Sequence, residues 1–274
     1  TLISLPDDIP PLGVDAAEWR RLHARLSERR RDNGDPAITW LHHRWRATIR
    51  DDASAHAACV ENLLSVSEEA RERGAVDSAL ELHARLERAA HDEGVEIEPA
   101  LLAESAVTWI AAGAVDRAVE IAERLDSTGD ATVSGLRERV RGLVAFARGD
   151  YEDALTALAR AESLDPRLAR ELVLARARVL YDARRDDELE RLASSLSDDV
   201  PERVRANVHT LVAMSLARRG ELDAAGERLS RLLVEARALA DASRQAALEL
   251  NLGTIERRRG RLDDAVAAFH RGLA

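Results

Sequence analysis

The chain has 274 residues, of which 46% are hydrophobic, 33% charged and only 3% aromatic. Its net charge of −10 argues against a general nucleic-acid binder, because neutralising phosphates requires a basic face. All forty basic residues are arginine, so a Walker-type phosphate loop, a kinase strand lysine and Schiff-base chemistry are excluded from this chain. The apolar content is mostly Ala and Leu, a mixture suited to amphipathic helices that pack closely through small side chains, and an all-α fold is expected. Cys59 is alone, which rules out an internal disulfide, fits a reducing compartment and favours a small buried hydrophobe over a nucleophile. The longest uncharged apolar runs, such as "VTWIAAGAV", fall far short of the roughly 20 residues needed to span a bilayer. "TLISLPDDIPP" has no signal-peptide pattern; a cytoplasmic location is expected, and a start at Thr1 fits a fragment of a longer polypeptide.

Residues 1–59 do not follow the period of the later residues as well and are expected to form an N-terminal helical segment. Within them, "EWRRLHARLSERRRDNGDPAITWLHHRWRAT" (18–48) predicts an amphipathic helix, a turn at Asn33-Gly34-Asp35-Pro36, and a second helix carrying Trp40, His43 and Ala47. This stretch resembles the junction in STAND-class signal-transduction ATPases and related kinase or transcription-regulator fusions. There, such helices lead from the ATPase and winged-helix modules into helical repeats. The resemblance implies a sensor or interaction arm, with nucleotide chemistry elsewhere in the polypeptide.

From residue 60 to 274 a period appears. Gly74/Ala79, Gly113/Ala118, Gly149/Ala154, Gly220/Ala225 and Gly260/Ala265 repeat one spacing, with Arg184/Leu189 in the fourth place. Seven residues before each turn residue lies a small one: Ser67, Ala106, Gly142, Ala177, Ala213 or Gly253. The small residue admits a facing helix, and the turn residue ends the first helix in a left-handed conformation. Asp150, Asp187 and Asp263 lie near second-helix starts, where a carboxylate meets free N–H groups and the positive end of the dipole. A lone hairpin cannot bury its apolar stripe, so neighbours must stack.

These residues resemble the tetratricopeptide-repeat family. The best match is "GLVAFARGDYEDALTALARAESLDP", with Gly142, Gly149, Tyr151, Ala154, Leu158, Ala161 and Pro166 on the family's anchors. The last repeat adds Leu252-Gly253 and Phe269, while the early aromatic is missing from most units. The resemblance implies a right-handed superhelix, an α-solenoid of about six to seven helix-turn-helix TPR-like repeats. Units are expected near 60–98, 99–134, 135–169, 170–205, 206–245 and 246–274.

Catalytic, metal and cofactor readings find little support. His42, His43 and His56 with Asp51 and Asp52 lack the closed Cys/His set of a structural zinc site, and packing or surface roles are expected. Asp186-Asp187 and Asp263-Asp264 are read as helix-start carboxylates rather than acid–base pairs. The cluster Arg257-Arg258-Arg259-Arg261, and likewise Arg184-Arg185 and Arg218-Arg219, are read as solvated cations at helix ends, with an acidic peptide or phosphate as the sharper alternative.

If the array is concave as the family implies, ligand-facing positions lie on the first helices: Arg139, Leu143 and Phe146; Leu174, Arg178 and Tyr181; Thr210, Met214 and Ala217; Leu250, Thr254 and Arg257. The Lys and Asn pattern of chaperone-tail readers is absent. The expectation is a non-catalytic scaffold or sensor arm without cofactors. Its partner would be a protein or peptide, or another domain of the same polypeptide, with neither nucleic acid nor membrane. A standalone adaptor that self-associates through its end repeats is the alternative, since the sequence stops before the final helix would normally finish and leaves a stacking face open.

Overall fold

The computed structural model describes residues 16–32, 36–50, 53–125 and 130–273. Among these the chain is all-α, with fourteen α-helices, two short 3-10 helices and no strand. They run α1 (Ala16–Asp32), α2 (Leu41–Thr48), α3 (Ala53–Glu72), α4 (Val76–Glu93), α5 (Pro99–Ala111), α6 (Val115–Arg124) and α7 (Ala131–Arg148). After these come α8 (Tyr151–Leu164), α9 (Ala169–Asp182), α10 (Asp186–Ser194), α11 (Glu202–Arg219), α12 (Leu222–Ala238), α13 (Ala242–Arg258) and α14 (Leu262–Leu273). The expected turn at Asn33-Gly34-Asp35 lies outside the described residues. Trp40 precedes α2 rather than sitting within it.

The repeat is TPR-like in its packing. Ser67, Ala106, Ala177 and Ala213, at the small position of the first helix, are fully buried, as are Ala79, Ala118, Ala154, Leu189 and Ala225 in the second helices. In the last hairpin, a Cβ added to Gly253 would lie 2.6 Å from Phe269 Cδ1, so the glycine is there because the ring takes its side-chain space.

Gly220 shows how the first helix stops. Its φ is +91°, its N–H reaches Ala217 O at 3.0 Å, and Glu221 N–H reaches Leu216 O at 3.0 Å, the paired bonds of a Schellman cap. Arg184 takes the same place with φ +58°, and its neighbour Arg185 repeats the long bond to Leu180 O at 2.9 Å. A side chain is thus held in a conformation that costs about 1–2 kcal/mol.

Two compact units result. The first holds the described residues up to Arg148 together with Ala159–Asp165, and the second holds Gly149–Leu158 with those from Pro166 onward. In the first unit, Trp40, Leu41 and Trp45 share a core with Cys59 and Leu63 of α3, Leu82, Leu86, Ala89 and Ala90 of α4, and Leu101 of α5. The N-terminal helices are therefore welded to the first repeat by their tryptophans. In the second unit the buried core of α9 to α13 is entirely aliphatic, among them Leu180, Leu189, Val208, Leu229, Leu233, Leu248 and Ile255.

Candidate functional site

The first helices carry the twelve candidate residues, and their side chains divide into those used by the fold and those left to solvent. On α7, Leu143 and Phe146 are half-buried. Arg139 is only 18% exposed, with Nη2 3.7 Å from Glu104 Oε2. The same carboxylate receives Arg71 Nε at 3.0 Å and Nη2 at 2.5 Å. Burial pushes the Glu104 carboxyl up, while Arg71 and Arg139 pull the other way. Arg71, Glu104 and Arg139 thus form a ladder over α3, α5 and α7, and Arg139 is committed to the fold.

In the second unit, Leu174 and Tyr181 of α9 pack on the aliphatic core. The Arg218 guanidinium lies over the Tyr181 ring at 4.5 Å and donates to Tyr181 O at 2.8 Å. On α11, Ala217 is buried and Met214 half-buried, and Thr210 Oγ1 donates to Ala206 O at 2.9 Å. Thr254 does the same to Leu250 O at 3.1 Å. Leu250 lies against its own hairpin partner, close enough that a Cβ on Gly272 would meet its Cγ at 2.9 Å. Arg178 and Arg257 are different. Both are exposed, and neither side chain has a hydrogen bond or ion pair among the described residues.

Most other helix-end arginines are occupied. Arg148 reaches Asp116 at 3.1 Å, Arg185 reaches Glu152 at 3.1 Å and Glu188 at 2.6 Å, and Arg219 approaches Asp187 at 3.9 Å. Arg259 is 15% exposed and donates to Asp223 at 2.7 Å and to Leu222 O at 2.9 Å. Asp186 accepts from Ser215 Oγ at 2.6 Å and Arg218 Nη2 at 2.5 Å; burial opposes ionisation, but these bonds hold its carboxyl below the usual range. The reading as solvated cations is therefore corrected for Arg185, Arg218, Arg219 and Arg259, and that of Asp186 as simply a helix-start carboxylate with it, while Arg184, Arg257 and Arg258 stay exposed without a side-chain partner among the described residues. The occupied arginines tie their hairpin to a neighbouring one. The signal was present in the sequence: an acid stands three residues after every turn residue, from Asp77 and Asp116 through Glu152, Asp187 and Asp223 to Asp263.

The first unit holds a second polar cluster that sequence spacing did not assemble. His23 Nδ1 and His43 Nδ1 lie 2.8 Å apart, so one donates and the other accepts. The His42 ring centroid is 3.9 Å from that of His43, and neither His42 nitrogen has a hydrogen-bond partner among the described residues. Arg46 Nη1 sits 3.3 Å from His23 Nε2 and Nη2 donates to Asp92 of α4 at 2.5 Å. Burial lowers His23 to about 3 and His42 to about 2, with the positive neighbours acting in the same sense. His83, between Ser67 Oγ at 2.9 Å and Thr108 Oγ1 at 3.5 Å, is lowered by burial to about 4.

Of the metal alternative, Asp51 and Asp52 lie outside the described residues, and His56 bonds Glu98 through Nε2 and lies 3.1 Å from Thr48 Oγ1 through Nδ1. Among the described residues, no group of three or more His, Cys, Asp or Glu is arranged to hold a metal ion. Cys59 is fully buried and its thiol is pushed by burial up to about 12, so it packs rather than reacts. A cleft of about 550 Å³ opens beside the α4–α5 connection, floored by Val95, Ile97, Leu102, Leu125 and Val133. Two of its rim carboxylates are already engaged: Glu87 by Arg124 at 2.9 Å, and Glu98 by Trp45 Nε1 at 3.0 Å and His56. No helix among the described residues is long and apolar enough to cross a membrane.

No protein-family model matches the chain, and no curated protein matches it. Among solved structures it is similar to a human IFIT1 dimer with PPP-AAAA, at 15% sequence identity and a TM-score of 0.45. That similarity covers 94% of this chain and 63% of the other, so the chain spans a little under two thirds of the length of the structure it matches.

Proposed function

We propose that the chain is a non-catalytic protein-interaction arm whose first-helix face in the second unit binds an acidic, partly apolar peptide or helix. The observation that carries this reading is the pair Arg178 and Arg257. In a chain where most helix-end guanidiniums are drawn into ties, these two stand exposed without a partner on α9 and α13, with Arg184 and Arg258 exposed likewise at the ends of the same two helices. Half-buried Leu174 and Thr254 on the same two helices, and half-buried Met214 on the first helix α11, supply apolar contact. Guanidinium forks match carboxylates in geometry, and a net charge of −10 favours a protein over a nucleic acid as partner. Nothing among the described groups combines a nucleophile, a base and an orienting residue, which supports a binding role.

The wider setting we propose is a cytoplasmic arm of a larger signalling or transcription regulator of the STAND type. Support comes from residues 18–48, whose Trp and His side chains join the N-terminal helices to the repeats. A standalone adaptor that associates through its terminal repeats is the second reading, favoured by the exposure of Leu262, Val266 and Leu273 on α14. The experiment is a titration with a fluorescein-labelled helical peptide of interleaved Glu and Leu. Arg178→Ala with Arg257→Ala is expected to weaken binding at least about tenfold, the scale of two exposed charge-assisted contacts. Unchanged binding removes the proposal.

A further inference from the structure

The joint between α12 and α13 shows what one hairpin offers the next. Leu222, two residues after the turn Gly220, is half-buried, and its carbonyl accepts Arg259 Nη2 at 2.9 Å. Gly226, six after the turn, is buried, and a Cβ there would lie 2.9 Å from the same nitrogen. Asp223, between them, completes the contact at 2.7 Å. The arrangement recurs earlier with larger residues. Tyr151 and Leu155 stand at the corresponding places of α8, Leu155 packs on the core that includes α9, and Glu152 receives Arg185. The joints thus have two covered side-chain positions, and at Asp116, Glu152, Asp187 and Asp223 a carboxylate faces an arginine from the end of the incoming helix.

α14 presents the same set uncovered. Leu262 and Val266 are 63% and 53% exposed, where the five preceding hairpins have half-buried or buried residues at both places. Asp263 lies between them, exposed and with no side-chain partner among the described residues. Further along the same face Leu273 is 78% exposed, while Leu233, its counterpart in α12, is 6% exposed. At the other joints these two places are covered, by Val76 and Leu80, Val115 and Val119, Tyr151 and Leu155, and Leu222 and Gly226, and on α10 by Asp186 and Glu190, so an exposed apolar pair is peculiar to α14.

We propose that the α14 face of Leu262, Asp263 and Val266 docks an amphipathic helix that ends in arginine, seated as α9 is seated on α8 and α13 on α12. Large residues at both covered positions make α8 the better template, so the occupant resembles α9: small and aliphatic on the contact side, with a guanidinium just past its last turn. The site differs in residues and in the sign of its partner from the acidic-peptide face. A basic-ended helix belongs here and an acidic one there, so the two proposals stand separately.

The test uses the whole chain and a hydrocarbon-stapled, fluorescein-labelled peptide of residues 167–186, which contains α9 and Arg185. The staple is needed because an isolated helix of this length is marginal in water. Micromolar binding is expected, weakened at least about tenfold by Asp263→Arg in the chain, as for a close charge pair turned repulsive. Arg185→Asp in the peptide should restore binding to the Asp263→Arg chain, a charge exchange that general stickiness does not reproduce. Leu262, Asp263 and Val266 are exposed, so far-UV circular dichroism of the variants should match the parent. Absence of binding at millimolar peptide overturns the proposal, as does binding indifferent to Asp263→Arg. A concentration-dependent doubling of mass without peptide, abolished by Val266→Glu, also overturns it, by assigning the face to a second copy.

Discussion

The two units use one repeat geometry but fill it with different chemistry. The first unit builds its N-terminal core from Trp40, Trp45 and a stack of buried histidines, with Arg46 inserted beside them and held by Asp92 and Glu93. The second unit fills its core with Leu, Val, Ala and Ile, and places its charges at the joints, where Arg185, Arg218 and Arg259 reach back to the preceding hairpin. Backbone periodicity is therefore indifferent to core chemistry, but stability is not. Burial of neutral imidazoles makes the first unit depend on pH, whereas exposed or half-exposed ion pairs contribute little each.

The largest effect that separates the units comes from acid. His23, His42 and His83 are lowered in the folded chain to about 3, 2 and 4, against 6.5 when unfolded. Below pH 6.5 the unfolded chain takes up protons that the folded one refuses. Their contribution is complete above that value and is lost as pH falls toward 4. Each histidine then costs about 1.4 kcal/mol per pH unit. In the second unit, burial lowers the half-buried His209. Hydrogen exchange at pH 5 should show protection lost first in α1, α2 and α4; simultaneous loss in α11 and α12 would erase the contrast.

Next in size is Trp45→Ala. The ring is fully buried and its Nε1 donates to Glu98 at 3.0 Å, so removal should cost about 3–5 kcal/mol, read from chemical denaturation of the first unit. In the second unit, Gly253→Ala drives a methyl into the Phe269 ring and should cost about 1–3 kcal/mol, with Gly253→Ala/Phe269→Leu recovering part of it. Arg184→Gly acts in the opposite direction. It relieves a left-handed residue and should stabilise the second unit by up to about 1 kcal/mol, measured as a higher melting temperature. Smallest is Asp223→Asn, which weakens the Arg259 tie by no more than about 1 kcal/mol and progressively less as salt is added.

The joints were legible in the sequence because they are local. A small residue, a turn residue and an alanine at fixed spacing report the contact of two helices a few residues apart, and Ala177, Arg184 and Leu189 keep that contact even where glycine is missing. The sorting of arginines was not legible. Arg139 and Arg178 look alike along the chain, and the difference is that Glu104, thirty-five residues earlier, meets Arg139 across a joint. The histidine stack was hidden for the same reason, since His23 and His43 meet only once α1 folds against α2. Acids three residues past each turn were visible, but the partners of Asp116, Glu152, Asp187 and Asp223 come from the following hairpin, and periodicity along the chain does not display that pairing.

The account rests on a division between arginines that tie hairpins and arginines that face a partner. One comparison tests it: affinity for the Glu/Leu peptide and melting temperature, both measured on Arg178→Ala/Arg257→Ala and on Arg218→Ala/Arg259→Ala. The division predicts that the first variant loses binding at an unchanged melting temperature, and that the second melts lower while retaining binding. Loss of binding in the second variant alone, with the first indistinguishable from the parent, would contradict it.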